Sequence, residues 1–204
     1  PTGLDAGREE IIELAALRLE RQGGSESFDL LTRLSEGRRL PAEITALTGI
    51  TQIQLEEEGL PKEEVCRQLA RLLDCSRPLL VAYNAQFDLC FLYYFLQCFG
   101  QAHLLKAVRL LDALTVYRDR RPYPHRLGDA VAAYALPTQN THRAIDDAQA
   151  TLELLCAMEE ERSDLTRYIN LFGYNPKYGV SGSKIASVRY LPQAFGQSIP
   201  LYEQ

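Results

Sequence analysis

A strand-to-helix junction constrains this chain more than any other feature. Residues 79–83, Leu-Leu-Val-Ala-Tyr, form a short and wholly apolar run, the pattern of a buried central strand. Asn84 ends it, and residues 85–99 follow as a very apolar helix that Gly100 stops. Further along, residues 108–111 fit a second short strand, with Asp112 as cap of a helix over 113–118. Residues 126–135 read as a helix closed by Pro137. Alternation of this kind implies an α/β layered fold.

Upstream of the junction, Pro41 opens a short helix that ends near Gly49, and residues 51–58 fit another. Leu60-Pro61-Lys62-Glu63-Glu64 is a good helix start, and Val65, Leu69, Leu72 and Leu73 supply an apolar face behind it. Residues 9–20 are ambiguous. Ile11, Ile12, Ala15, Ala16 and Leu19 fit a helical stripe, yet Gln22-Gly23-Gly24-Ser25 is a good turn between this stretch and strand-like residues 28–34.

Downstream, residues 138–141 form a polar loop. Ala144, Ala148, Leu152, Leu155 and Met158 then recur at helical spacing. His142 falls just before this helix and Asp147 on its first turns. An imidazole and a carboxylate at a helix start make an acid/base and metal pair, or else a loop residue and a first-turn acid favoured by the helix dipole. Asp146 is one position out of register, about 100° around the helix. Beyond 161 the character changes. Residues 165–172 fit a last short helix with Gly173 as its stop. Four basic residues (Arg167, Lys177, Lys184, Arg189) and no acids occur between 165 and 202. This extension is too small for a core of its own. It reads either as a strap on the domain or as a basic, tyrosine-bearing segment that touches nucleic acid.

The 204 residues suffice for one domain with a full core, and 46% apolar with 24% charged content is ordinary for a globular protein. A net charge of −5 argues against a protein that coats nucleic acid through basic surface, but not against an enzyme that grips a strand end through metal. The five cysteines form no C-x-x-C pair and read as small buried hydrophobes in a reducing compartment. No signal peptide is visible, and the apolar runs 79–83 and 90–96 are too short to span a bilayer, so a cytoplasmic protein is expected.

Three stretches converge in this reading: Pro1-Thr2-Gly3-Leu4, then Tyr83-Asn84-Ala85-Gln86-Phe87-Asp88, then His142-x-Ala144-x-x-Asp147-Ala148-x-x-Thr151. Sites in α/β sheets form at the carboxyl ends of strands, where Asp88 can meet Asp147. The motifs, with Leu47-Thr48-Gly49-Ile50-Thr51 between them, resemble those of the DEDDh 3′–5′ exonucleases. That family includes the proofreading epsilon subunit of bacterial DNA polymerase III and the exonuclease domain of the Gram-positive replicative polymerase. The resemblance covers residues 1–160 and implies an exonuclease domain there, with 161–204 as a C-terminal extension. It implies an RNase H-like mixed sheet flanked by helices, in which 10–19 and 27–33 are strands.

It further implies two Mg²⁺ or Mn²⁺ ions with Asp88 and Asp147 among their ligands, and His142 as general base. The expected reaction releases 5′-mononucleotides from a single-stranded or frayed DNA 3′ end. Thr2, Gly3, Leu4, Glu43, Thr48, Asn84 and Phe87 are the expected substrate contacts, although Leu4 and Phe87 equally fit core packing. Asp112 reads as a helix cap. The family's first motif also carries an Asp and a Glu, which would precede Pro1; the intact later motifs favour residues upstream that supply them. Two other readings stay open: an inactive module that binds nucleic-acid ends or a DNA polymerase, and an exonuclease that trims RNA.

Overall fold

The computed structural model describes residues 1–20, 22–138, 141–194 and 199–204; half of the expected polar loop, residues 139 and 140, lies outside them. Strand β1 (Glu13–Leu19) pairs antiparallel with β2 (Ser25–Leu31) over the full register from Glu13↔Leu31 to Leu19↔Ser25. The ambiguous stretch is therefore a strand, shorter than expected, because a seven-residue ladder outweighs local helix propensity. The turn bends at Gly23, whose φ of 97° suits glycine.

Helix α1 (Ala42–Thr48) ends where the Gly49 amide, at φ 74°, reaches back to the Thr45 carbonyl. Helix α2 (Gln52–Glu57) starts on a capping box between Thr51 and Gln54. Helix α3 (Lys62–Leu73) buries Val65, Cys66 and Leu69.

Strand β3 (Leu79–Ala82) runs into α4 (Ala85–Cys98) through Asn84, and β4 (Arg109–Asp112) lies parallel to β3 with Leu80 opposite Leu110. Contrary to the expectation of a fully buried central strand, Leu79 is 37% and Val81 39% exposed, since β4 is the only strand that pairs with β3 among the described residues. Helix α4 is apolar on most of its circumference because it is buried on two sides. Leu89 packs with Leu110, Phe172 and Val188, while Leu92 and Leu96 pack with Cys66 and Leu69.

Helices α5 (Ala113–Arg120), α6 (Leu127–Ala133) and α7 (Ala144–Glu161) build the largest core around Val116, Tyr117, Ala130, Leu154 and Met158. The extension joins this core. Tyr168, Leu171 and Leu201 are buried in it, and β5 (Leu171–Tyr174) pairs parallel with β6 (Arg189–Pro192). The helix expected over 165–172 is thus corrected: only residues 165–168 turn, in a 3-10 helix, and Gly173 lies inside β5. A side chain there would collide with Gln193, since a Cβ would lie 2.1 Å from Oε1. Asn170 ties β5 to β4, its amide donating to the Leu110 carbonyl at 2.7 Å and its side-chain oxygen accepting from the Leu110 amide at 2.8 Å.

The strands therefore pair two by two in a mixed α/β architecture, instead of forming one continuous hydrogen-bonded sheet among the described residues. The cysteines depart from expectation. Cys66 alone is fully buried, whereas Cys75, Cys98 and Cys156 sit on outward helix faces or loops. Among the described residues no helix is long and apolar enough to cross a membrane.

Candidate active site

Asp88 and Asp147 each stand in the first turn of a helix, α4 and α7. What precedes each helix is alike. Asn84 has φ 66° and His142 φ 62°, left-handed values that Asn and His tolerate better than most residues. The tight bend at Asn84 turns the chain from β3 directly into α4 and leaves the Asn84 side chain exposed. The bend at His142 leaves the imidazole exposed in front of α7.

Asp88 is exposed and Asp147 half-buried. Solvent reaches Asp88, but the protein packed beneath it still desolvates the carboxyl. This desolvation pushes its carboxyl up to about 7, and the nearby Asp112 and Asp147 charges add to the push. Asp147 is pushed up to about 6, again mainly by desolvation; the His142 charge and backbone amide work in the opposite direction. Its Oδ1 atom is buried without a hydrogen-bond partner. Two desolvated carboxylates and an orphaned oxygen fit a divalent cation. Mg²⁺ in particular is held by one or two carboxylates with substrate phosphate and water completing its shell. Among the described residues no three His, Cys, Asp or Glu side chains gather as a self-sufficient metal cage.

The surroundings are satisfied by contrast. Asp112 is fully buried at the end of β4, accepts from the Thr115 amide at 2.9 Å and hydroxyl at 2.6 Å, and so caps α5 as expected. It also accepts from the Ala85 amide at 2.9 Å, which fixes the start of α4. Asp146 accepts from the Thr141 hydroxyl. Thr151 donates back to the Asp147 carbonyl at 2.7 Å.

Leu4 is 87% exposed, which excludes core packing, and Phe87 is half-buried against Phe91; the two line one recess. Thr2 is buried. Its hydroxyl donates to Glu9 and accepts from the Glu10 amide at 2.9 Å and from Arg38 at 3.3 Å, so it anchors the loop from within. Gly3 stays small because a Cβ would press on the Glu9 side chain at 2.9 Å. Glu43 is exposed in the first turn of α1, and the Thr48 hydroxyl donates to the Ile44 carbonyl at 2.8 Å. Neither makes a hydrogen bond or ion pair with the acidic pair among the described residues.

Two participants escaped the sequence reading. Glu13 reaches from β1 to the α7 start, where it accepts from the Ala144 amide at 2.7 Å and pairs with Arg143 at 2.7 Å. It holds the loop that carries His142. Gln86, 1% exposed, ties the extension to α4. No local signal marks either residue.

Comparison with known proteins gives a consistent result. The exonuclease family model RNase_T matches residues 1–155. A DNA polymerase III PolC-type of Lactococcus lactis is 30% identical over 179 residues, covering 86% of this chain and 10% of the relative. Its counterpart in Halalkalibacterium halodurans is 33% identical over 167 residues, covering 80% of this chain and 11% of the relative. The chain thus spans about a tenth of the length of these curated relatives. Among solved structures, Escherichia coli Exonuclease I in complex with a dT13 oligonucleotide shares the fold with a TM-score of 0.73 and 17% identity, over 82% of this chain and 41% of that one. Exonuclease X in complex with 5′ overhanging duplex DNA gives a TM-score of 0.56 and 18% identity, over 80% of this chain and 89% of that one.

Proposed function

Because the chain belongs to the RNase_T exonuclease family, we propose that it is a divalent-metal-dependent 3′–5′ exonuclease of the DEDDh type, acting on single-stranded or frayed DNA ends. The observation that carries this reading is the pair of carboxylates raised by desolvation, Asp88 and Asp147, each in a helix first turn behind a left-handed residue, with Asp147 keeping a buried oxygen that has no hydrogen-bond partner. Such a pair is destabilising in a protein that does not use it.

Asp88 and Asp147 would hold Mg²⁺ or Mn²⁺, which when bound supplies positive charge against the phosphodiester and makes water a better nucleophile at neutral pH. His142 accepts the proton of the attacking water; its exposed ring, standing before α7, is free to do so, and an imidazole suits a base that works near neutrality. The segment Thr2-Gly3-Leu4 holds the terminal nucleotide, with the Leu4 side chain wedged beside its base; Glu43 and Thr48 contact its sugar, and Asn84 and Phe87 line the same cleft. Glu13 acts on His142 indirectly, by fixing the α7 start. DNA as substrate is supported by the polymerase relatives and by the oligonucleotide named in the Exonuclease I structure. The same relatives support a DNA polymerase as partner.

The test is a digestion of single-stranded DNA labelled at either end. With Mg²⁺ or Mn²⁺, 5′-mononucleotides are expected from the 3′ end, with none in excess chelator. His142→Ala is expected to lower turnover by about 10²–10⁴-fold, and Asp147→Asn to abolish it, both with unchanged circular dichroism. Chelator-resistant digestion, or wild-type turnover in either variant, would remove the assignment.

A further inference from the structure

The expected core of the active site uses residues up to Asp147, yet the C-terminal extension comes back to its edge. Gln86 stands two residues before Asp88 and is buried. Its amide donates to the Ser181 carbonyl at 3.0 Å and the Ser183 carbonyl at 2.8 Å, and its side-chain oxygen accepts from the Tyr190 hydroxyl at 2.7 Å. That hydroxyl in turn accepts from the Ile185 amide at 3.0 Å. Gly182 has φ 71°, and a Cβ on it would lie 2.6 Å from the Cys90 sulfur, so only glycine lets the loop come this close to α4. Residues 181–185 are therefore held against the first turns of α4 as firmly as a core element. A loose strap needs neither a saturated buried glutamine nor a glycine fitted to one sulfur.

This docking closes a recess of about 260 Å³ lined by Leu4, Phe87 and Tyr94 on one side and by Ser181 and Gly182 on the other. The volume falls just below the range of pockets for drug-sized ligands, about 300–1,000 Å³, and suits one ring system. Its wall is unusual for a surface: Leu4 is 87% and Tyr94 38% exposed. Asp5 also lines it, which disfavours a phosphate inside. The same extension carries Lys177, Lys184 and Arg189, which form no ion pair with an acid among the described residues; Lys184 leans on the Tyr174 ring and on the ring of Tyr190, whose hydroxyl holds Gln86. A recess walled by Leu4, Phe87 and Tyr94, closed by an extension that carries basic side chains without acidic partners, is complementary to a base inside and a phosphate backbone outside.

We propose that residues 181–184 of the extension are a built wall of the substrate cleft, and that the recess they close over Phe87 and Tyr94 takes one unpaired nucleobase of the strand leading away from the acidic pair. The proposal rests on the nuclease reading above and adds a specificity element to it. A strand must be single through this recess, so the extension sets how far from the 3′ end the substrate is melted.

The experiment uses 5′-fluorescein dT8 without divalent metal, with an abasic site moved through each position from the 3′ end, and reads affinity by anisotropy. The wild-type protein is expected to show a penalty of about 5–150-fold at one position near the end, the size of one lost base–aromatic stack. Tyr94→Ala removes the ring, and Ser181→Phe fills the recess from the extension side; each is expected to abolish that position's penalty while leaving the others. Both residues face solvent, and circular dichroism confirms folding. A flat abasic profile, or a profile that either variant leaves unchanged, overturns the proposal. If wild-type protein binds and digests dT8 in these cases, the nuclease reading survives; if it does neither, that reading falls as well.

Discussion

The two ends of α7 treat their acids in opposite ways. At its C-terminal side Asp164, 7% exposed, receives Arg120, Arg162 at 2.6 Å and the Tyr202 hydroxyl at 2.7 Å. Arg120, itself 2% exposed, also bonds to the Met158 carbonyl at the helix end. Each charge there faces one of opposite sign, and both Asp164 oxygens are bonded, although the Arg120 Nε atom is buried without a hydrogen bond. At the N-terminal side, roughly 27 Å away at 1.5 Å per residue, Asp147 keeps a buried oxygen with no partner, although a helix start ordinarily welcomes an acid. The same helix thus has a structural acid just past one end and an unsatisfied one in its first turn. A buried acid signals chemistry only when its neighbours fail to answer it.

The largest expected effect tests the answered end. Asp164→Ala removes the nearer of the two carboxylates that face the buried Arg120, leaving Glu161 at 3.6 Å, and should cost about 3 kcal/mol of stability, read as a fall in the urea midpoint at constant slope. A loss under 1 kcal/mol would erase the contrast between the ends. The next effect concerns how the extension joins that end. Gly173→Ala puts a methyl 2.1 Å from the Gln193 oxygen and 3.0 Å from Leu201, where Gln193 is already held by the Thr115 carbonyl at 2.9 Å and Asp119 at 2.6 Å. Overpacking there should cost about 1–3 kcal/mol. A neutral substitution would mean that the extension is laid on the surface and not packed into the core.

The contrast also separates what the sequence discloses from what it hides. The β3–α4 junction and the α7 stripe are legible because their signals are local: an apolar run, a glycine stop, a helical period. The acids Asp88 and Asp147 are legible through motif order. Strand β1 is not, since its residues favour a helix and only the partner strand reverses the preference. Strand β5 hides for the same reason, its partner β6 lying beyond a turn-rich stretch of glycines and serines. Glu13 and Gln86 are silent, because their roles depend on the Ala144 amide 131 residues away and the Ser181 carbonyl 95 residues away. Resemblance supplies the family; only contacts disclose which polar residues close on each other and which stay open.

The smallest expected effect addresses the unanswered end and carries a sign. The Asp147 carboxyl is raised to about 6 in the folded protein, chiefly by desolvation, whereas an aspartate in the unfolded chain titrates near 3.9. The folded state therefore binds this proton more tightly than the unfolded state. Below about pH 4 both states are protonated and the group is neutral to stability. Between about pH 4 and 6 the penalty for ionising it in the fold grows, and above that it is fully present. In metal-free protein at pH 8, Asp147→Asn should thus be more stable than wild type. Since the carboxylate is partly solvated, the gain should be only about 1 kcal/mol after allowance for screening. It should shrink to nothing at pH 4. Saturating Mg²⁺ or Mn²⁺ should stabilise wild type and leave the variant behind, reversing their order at pH 8. A variant less stable than wild type without metal at pH 8 would mean that Asp147 is answered after all, and that the two ends of α7 are alike.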